Sequence, residues 1–262
     1  MRNAPLPLML AILAGVFAFL YLPISVLVAL SFNDGGLPTA WTGFSTKWYG
    51  ALFANADIMG AALNTLIVAV ISTILATLFG TLLAVGVEIR RRKGRFLETL
   101  IFAPMIIPDI VLAIALLSFF SLLGVTMGLH TIILAHVVFN LAFVCSVVRA
   151  RLKTFDWSIV EASTDLGAPT FTTLRRVIIP VLSPAIIAGA LLAFTLSVDE
   201  FVIAFFTAGA GRASTTLPMQ IYAMIRFGVT PEINALATIV MGISVLALTL
   251  SQRLNRGGLP GQ

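Results

Sequence analysis

Six predominantly apolar stretches, roughly 8–31, 58–87, 97–123, 131–150, 181–207 and 233–251, run through the chain. Each is near or above the ~20 residues a helix needs to cross ~30 Å of hydrocarbon. No water reaches a free backbone group at that depth, so such a segment must close its hydrogen bonds within itself, as a helix does. Composition agrees: 59% of residues are hydrophobic, 10% are charged and the mean hydropathy is +1.06, against ~45–50% and ~25% in soluble domains. With 262 residues divided this way the loops are too short for a soluble domain, and the expectation is one all-α integral membrane domain over 1–262 with six transmembrane helices. At about 24 residues, the first stretch exceeds the 7–15-residue apolar core of a signal peptide and reads as a retained helix.

Orientation follows from the basic residues, because cytoplasmic loops near helix ends are enriched in Lys and Arg. With both termini cytoplasmic, Arg2, Arg90, Arg91, Arg92, Lys93, Arg95, Arg149, Arg151, Lys153, Arg175, Arg176, Arg253 and Arg256 fall inside. Only Lys47, Arg212 and Arg226 fall outside. The net charge of +5 is thereby explained by membrane orientation rather than by nucleic acid. Glu88 and Glu98 flank the Arg90–Arg95 cluster and read as partners in a solvated charge pair. Two external loops are long, at roughly 32–57 and 208–232. Trp41, Trp48 and Tyr49 in the first suit an interfacial belt, or else a docking surface for another protein. No internal repeat of 20–50 residues is visible, which weakens an inverted-repeat secondary transporter. Cys145, the single cysteine, lies in an apolar run and can form no intrachain disulfide.

The one sizeable internal loop, 151–176, reads RLKTFDWSIVEASTDLGAPTFTTLRRVIIP through to Pro180. Ile159, Val160, Ala162 and Leu166 give a short amphipathic helix, which Asp156 or Ser158 can cap and Gly167 can stop, with Pro169 beyond. A second short helix from Thr170 towards Pro180 would complete a compact knob at the membrane face. Glu161-Ala162-Ser163, three residues, Gly167, nine residues and Val177-Ile178-Ile179-Pro180 resemble the signature of ABC importer permease subunits, Glu-Ala-Ala, three residues, Gly, nine residues, Ile-x-Leu-Pro. That resemblance implies a type I importer fold in which Glu161, Ala162, Ser163, Gly167 and Pro180 belong to a coupling helix docked in a groove of a cytoplasmic ATPase. The alternative is an amphipathic helix resting on lipid. The chain has no Gly-Lys pair and therefore no phosphate loop. It is read as a non-catalytic subunit that binds no cofactor, with ATP and Mg on a partner ATPase.

Carboxylates in hydrocarbon cost ~2.5–3.5 kcal/mol each on insertion scales, so they mark cavities or partners. Asp109 lies in the third stretch, ~18 Å from its cytoplasmic end at 1.5 Å per residue. Pro104 and Pro108 precede it, and their missing N–H groups leave the carbonyls of Leu100 and Pro104 without helical donors. Such a broken helix is tolerated only where its backbone lines a cavity or meets protein, and beside Asp109 it could hold a cation. Asp199 and Glu200 are adjacent in the fifth stretch and, in a continuous helix, point ~100° apart. Asp199 then shares a face with Thr195, Val202, Ile203 and Phe206 and is assigned to the substrate pathway. Glu200 shares its face with Ser197, Ala204 and Thr207 and is assigned to an interhelical or interfacial partner. A buried pair with Arg, His or a protonated neighbour is the structural alternative for all three. Glu232 is a rim acid or a helix-start residue after Pro231.

If Asp109 and Asp199 line one cavity the ligand is cationic, since a carboxylate holds an ammonium by a charge-assisted hydrogen bond and aromatic rings can hold its methylenes or charge. Leu196–Ile203, Ile107–Val111, Pro231–Thr238, Ser31-Phe32-Asn33, Lys47-Trp48-Tyr49 and Thr216-Leu217-Pro218 are similar to segments of the spermidine/putrescine permeases, the second of two pore subunits. Those permeases commonly carry Asp-Asp where this chain has Asp199-Glu200. The resemblance implies a bacterial inner-membrane complex with a second permease subunit, two ATPase subunits and a periplasmic binding protein docked on the external loops. Other readings are an ABC permease for an opine, amino acid or phosphonate, an ion-coupled transporter with Asp109 and Asp199 as proton carriers, and an intramembrane enzyme using two acids. His130 and His136, six apart with no Cys or carboxylate in ligand spacing, do not suggest a metal site. No nucleophile turn suggests a catalytic residue.

Overall fold

The computed structural model describes residues 6–36, 40–89, 95–228 and 230–256. Arg2, Arg90, Arg91, Arg92 and Lys93, on which part of the orientation rests, lie outside the described residues. The described helices begin with α1 (Leu6–Leu30), α2 (Lys47–Ala54), α3 (Ala56–Ile89), α4 (Arg95–Ile106), α5 (Asp109–Leu122) and α6 (Leu129–Leu152). They continue with α7 (Ser158–Asp165), α8 (Thr170–Thr173), α9 (Ile179–Asp199), α10 (Val202–Thr207), α11 (Leu217–Phe227) and α12 (Pro231–Arg256). Four helical runs, Pro7–Leu30, Ala56–Ile89, Leu129–Leu152 and Thr170–Asp199, are long and apolar enough to cross a membrane, and the bent pair α4 and α5 makes a fifth. Neither of the long segments 32–57 and 208–232 is merely a loop, since α2 and α11 lie within them.

Two of the six apolar stretches are broken. Between α4 and α5 the axis bends by 117°. Pro104 is carried inside α4, but Pro108 takes an extended ψ of 137° and disfavours helical backbone at Ile107. The Pro108 carbonyl then accepts the first hydrogen bonds of α5, from Val111 and Leu112. The second break corrects the sequence reading: α9 stops at Asp199, Glu200 is extended with ψ 114°, and α10 starts at Val202. The division of faces between Asp199 and Glu200, which assumed one helix to residue 207, does not hold across that break.

The chain divides into two compact units, residues 1–59 with 221–262, and 60–220. In the first, α12 packs on α1 and α2. The segment after α1 folds around Asn33, which is buried: its Nδ2 donates to Ala40 O at 2.6 Å and its Oδ1 accepts from Thr42 N at 2.8 Å. Trp48 Nε1 donates to Asn33 O at 2.8 Å, and the Ser31 and Tyr49 hydroxyls are 2.7 Å apart. Two of the three belt aromatics are thus structural pins of this segment. Lys47 pairs with Asp34 at 2.7 Å, and that hydrogen bond holds the Asp34 carboxyl below the usual carboxylate range.

In the second unit, α6 is the axis. Val144 on α6 is fully buried between two glycines: a Cβ on Gly80 of α3 would lie 2.9 Å from Val144 Cβ and 3.1 Å from Leu141 O, and one on Gly189 of α9 would lie 3.4 Å from Val144 Cγ1. Ala76, Gly80 and Ala84, four apart, make the small-residue stripe that lets membrane helices approach closely. Glu88 at the end of α3 is buried and lies 3.9 Å from Arg149, so it is not the solvated group the sequence suggested. Beyond α6, Asp156 Oδ1 accepts from Ser158 N at 3.0 Å and opens α7, which ends near Gly167 at φ +76°. The second helix of the knob is no separate element. From Thr170 it passes through a π-turn at Leu174–Ile178 directly into α9. Pro180 deprives the Arg176 carbonyl of its helical donor, which accounts for the widened turn.

Gly80→Ala is expected to lower the stability of the detergent-purified protein by about 1–3 kcal/mol, because the Leu141 carbonyl cannot move aside. Gly86→Ala on the same helix, which meets nothing within 4 Å, leaves the thermal midpoint unchanged or raised. Equal behaviour of the two variants would rule out close approach at Gly80.

Candidate functional site

The two helix breaks come together in the second unit. α5 packs on α10, and Leu112, Ala113 and Ile203 share an apolar cluster with Ile107, Val202 and Phe206. Asp109 is the first residue of α5 and is exposed. Glu200 is half-buried, its Oε1 accepts from Ile203 N at 2.8 Å, and it is close enough to Asp109 for the two carboxylates to repel. Asp199 is exposed and makes no hydrogen bond or ion pair among the described residues. Phe201, Phe205 and Phe206 form a ring cluster beside these acids, with centroids 5.5 Å and 5.7 Å apart in successive pairs. Glu232 is the second residue of α12, in the other unit, and is half-buried.

Chemically this is an anionic patch with an aromatic wall. Two carboxylates that repel one another are relieved by a cation between them, and rings of this kind attract an ammonium through their π faces. The Ile203 N–H, together with that of Val202, orients the Glu200 carboxylate.

The residues that hold the second break were not apparent as functional in the sequence. His136 on α6 is buried, and its Nδ1 lies 2.7 Å from Ser197 Oγ, which in turn lies 3.1 Å from Ser72 Oγ on α3. One chain of hydrogen bonds therefore ties three helices together two residues before Asp199. At the far end of α10, Thr131 Oγ1 on α6 donates to Thr207 O at 2.7 Å. The break is pinned to α6 on both sides. His136 Nε2 and the Asn140 amide, one turn further along α6, are buried with no partner among the described residues. A signal existed, since His136 and Asn140 are polar residues four apart in an otherwise apolar helix, but without the fold nothing linked them to Ser197.

On the knob, Glu161 and Ala162 are exposed, Ser163 is half-buried with its Oγ 2.9 Å from Thr173 Oγ1, and Gly167 sits at the open turn. Around them Leu166 is 88% exposed and Phe171 71% exposed. Side chains as bare as these, next to a charged face, are unusual unless something covers them. The two hydrogen bonds from Ser158 hold the Asp156 carboxyl below its ordinary range. Pro180 is the second residue of α9 and lies apart from the exposed tip.

Residues 76–256 match the family described as binding-protein-dependent transport system inner membrane component. The spermidine/putrescine transport system permease protein PotC of Escherichia coli (strain K12) is 42% identical over 250 residues, covering 95% of this chain and 94% of that protein. The putrescine transport system permease protein PotI of the same strain is 42% identical over 256 residues, covering 92% of this chain and 89% of that protein. Among solved structures, a chain of a bacterial ABC transporter involved in the import of the acidic polysaccharide alginate superposes with a TM-score of 0.69 at 18% identity, covering 97% of this chain and 96% of that one. At that identity the likeness concerns the fold alone.

A double-mutant cycle on His136→Ala and Ser197→Ala is expected to give a coupling of about 0.6–1.7 kcal/mol in detergent unfolding, the range of interhelical hydrogen bonds in membranes. Strict additivity of the two substitutions would remove the pair from the account of how the break is held.

Proposed function

The chain belongs to the family of binding-protein-dependent transport system inner membrane components, and on that premise we propose that it is a pore subunit of an ATP-driven importer that carries a polyamine, putrescine or spermidine. The observation that carries the substrate class is the packing of α5, which begins at Asp109, on α10, which follows Glu200, beside a phenylalanine cluster. A linear polyamine has what such a site lacks: separated ammonium groups for the carboxylates and methylenes for the rings. The 42% identity to PotC and PotI over nearly the whole chain supports the same class.

In this proposal the single membrane domain has six spans: α1, α3, the bent pair α4 and α5, α6, α9 with α10, and α12. Both termini and the Glu161–Gly167 knob are cytoplasmic. A second permease subunit completes the pore, two ATPase subunits bind ATP and Mg, and a periplasmic binding protein delivers substrate to the external side. ATP binding brings the ATPases together, the knob follows through Glu161, Ala162 and Ser163, and the cavity opens outward. Hydrolysis resets it inward. Asp199, two residues beyond the His136–Ser197 tie, serves the pathway together with Asp109, Glu200 and Phe206, and Glu232 on α12 is assigned to the pathway as a rim acid. The exposed Leu166 and Phe171 favour a protein partner for the knob over lipid alone.

Uptake of labelled putrescine and spermidine by cells carrying the whole transporter provides the test. At matched membrane levels, Asp199→Asn and Glu200→Gln are each expected to reduce uptake at least tenfold, the loss of about 1.4 kcal/mol or more of cation binding. Uptake of some other solute, with none of polyamine, would retain the importer and discard the substrate. Glu161→Ala and Gly167→Val are expected to abolish uptake while the subunit still assembles in the membrane, since φ +76° at Gly167 strains any β-branched residue. Normal uptake by both would remove the knob from the coupling path.

A further inference from the structure

Outside the acidic site, the second unit carries a groove of about 520 Å³ between α4 and α6. One end is basic, with Arg149 and Lys153 on a shared face of α6 and Ala150 between them. Phe102, Met105 and Ile106 of α4 line the rest. The Arg149 guanidinium sits over the Phe102 ring, 5.4 Å from its centroid, so Phe102 is level with Arg149. Met105 and Ile106 lie further along α4, towards its bend, and are 39% and 80% exposed. Lys153 follows the last residue of α6, where the chain leaves for the knob. The groove therefore grades from cationic at the helix end to apolar at depth.

Glu88 approaches Arg149 at 3.9 Å and offsets part of its charge. Lys153 is exposed and makes no ion pair among the described residues, and with Arg149 it makes this end of the groove cationic. A free phosphate would satisfy that end and leave the Met105 and Ile106 surface bare. An amphiphile with an anionic head satisfies both.

We propose that this groove is a binding site for an anionic phospholipid, its phosphate held by Lys153 and Arg149 and one acyl chain lying along Phe102, Met105 and Ile106. Basic pockets between membrane helices hold such head groups through charge and hydrogen bonds, while the apolar stems and rings beneath take the glycerol and first methylenes. Such a lipid would rest against α4 at the approach to the bend that positions Asp109, and between that bend and the knob. The proposal goes beyond the transport reading and does not depend on which solute is carried.

The test uses the whole transporter in detergent, with lipid retention read by native mass spectrometry. Phosphatidylglycerol and phosphatidylcholine of identical chains are offered, with soluble glycerol phosphate as competitor. Phosphatidylglycerol is expected to be retained preferentially, and Lys153→Gln to weaken that retention about fivefold, the effect of one basic residue at a membrane surface. Ala150→Phe, which fills the groove and leaves its charges in place, is expected to weaken it as well. Equal retention of the two lipids, or indifference to both substitutions, overturns the site. Full displacement by glycerol phosphate overturns the amphiphile in favour of a phosphate site. Absence of bound phosphatidylglycerol in the assembled transporter, if the lone subunit retains it, means the second permease subunit covers the groove, and overturns the proposal. Polyamine uptake measured on the same variants keeps the two readings apart, since loss of the polyamine assignment leaves lipid retention untouched.

Discussion

Val144 of α6 lies between Gly80 of α3 and Gly189 of α9, and the second unit depends on that contact. Helices in lipid gain nothing by hiding apolar surface from one another, so they associate through fit, through hydrogen bonds and through the absence of side chains at the crossing. Gly80 and Gly189 supply that absence on either side of one valine. Their closeness brings Ser72, Ser197 and His136 within hydrogen-bonding distance. A polar chain of this kind is stable only if the helices cannot separate, because each polar atom released into hydrocarbon would cost several kcal/mol.

The rigid crossing stands next to the part of the unit that is not helical. α9 ends at the exposed Asp199, two residues past Ser197, α10 is pinned again at Thr207, and the half-buried Glu200 lies in the turn between them. Opposite, Pro108 starts α5 with Asp109 as its first residue. Breaks in membrane helices survive where protein or a hydrated space receives their backbone, and carboxylates survive under the same condition. The two requirements coincide here, where α5 packs on α10. The acids are held by a scaffold whose own polar groups are buried.

The proline at 108 made one break legible in the sequence, and the glycine at 167 made the end of α7 legible, because each changes what the backbone can do at that position. The break after Asp199 had no such mark. Residues 196–207 contain neither proline nor glycine, and periodicity alone continues the helix through them. Its cause is tertiary: Glu200 turns its carboxylate to the Ile203 N–H, while Ser197 and Thr207 are tied to α6. The same reason explains why His136 looked idle and why Glu88 looked solvated. Their partners, Ser197 and Arg149, are 61 residues away in both cases.

From the sequence alone came the all-helical class, the first four apolar stretches to within a few residues, the Pro108 break, the knob with its cap and glycine, and the three acids as the groups worth explaining. Those features are local, set by hydrophobic run length, by residue-specific backbone limits and by the cost of a charge in lipid. Only the tertiary structure decided that α5 packs on α10, that α9 stops short, and that Val144 lies between Gly80 and Gly189. These depend on which distant side chains meet, and a helix in lipid presents apolar residues on every face, so its pattern does not say which face meets a neighbour.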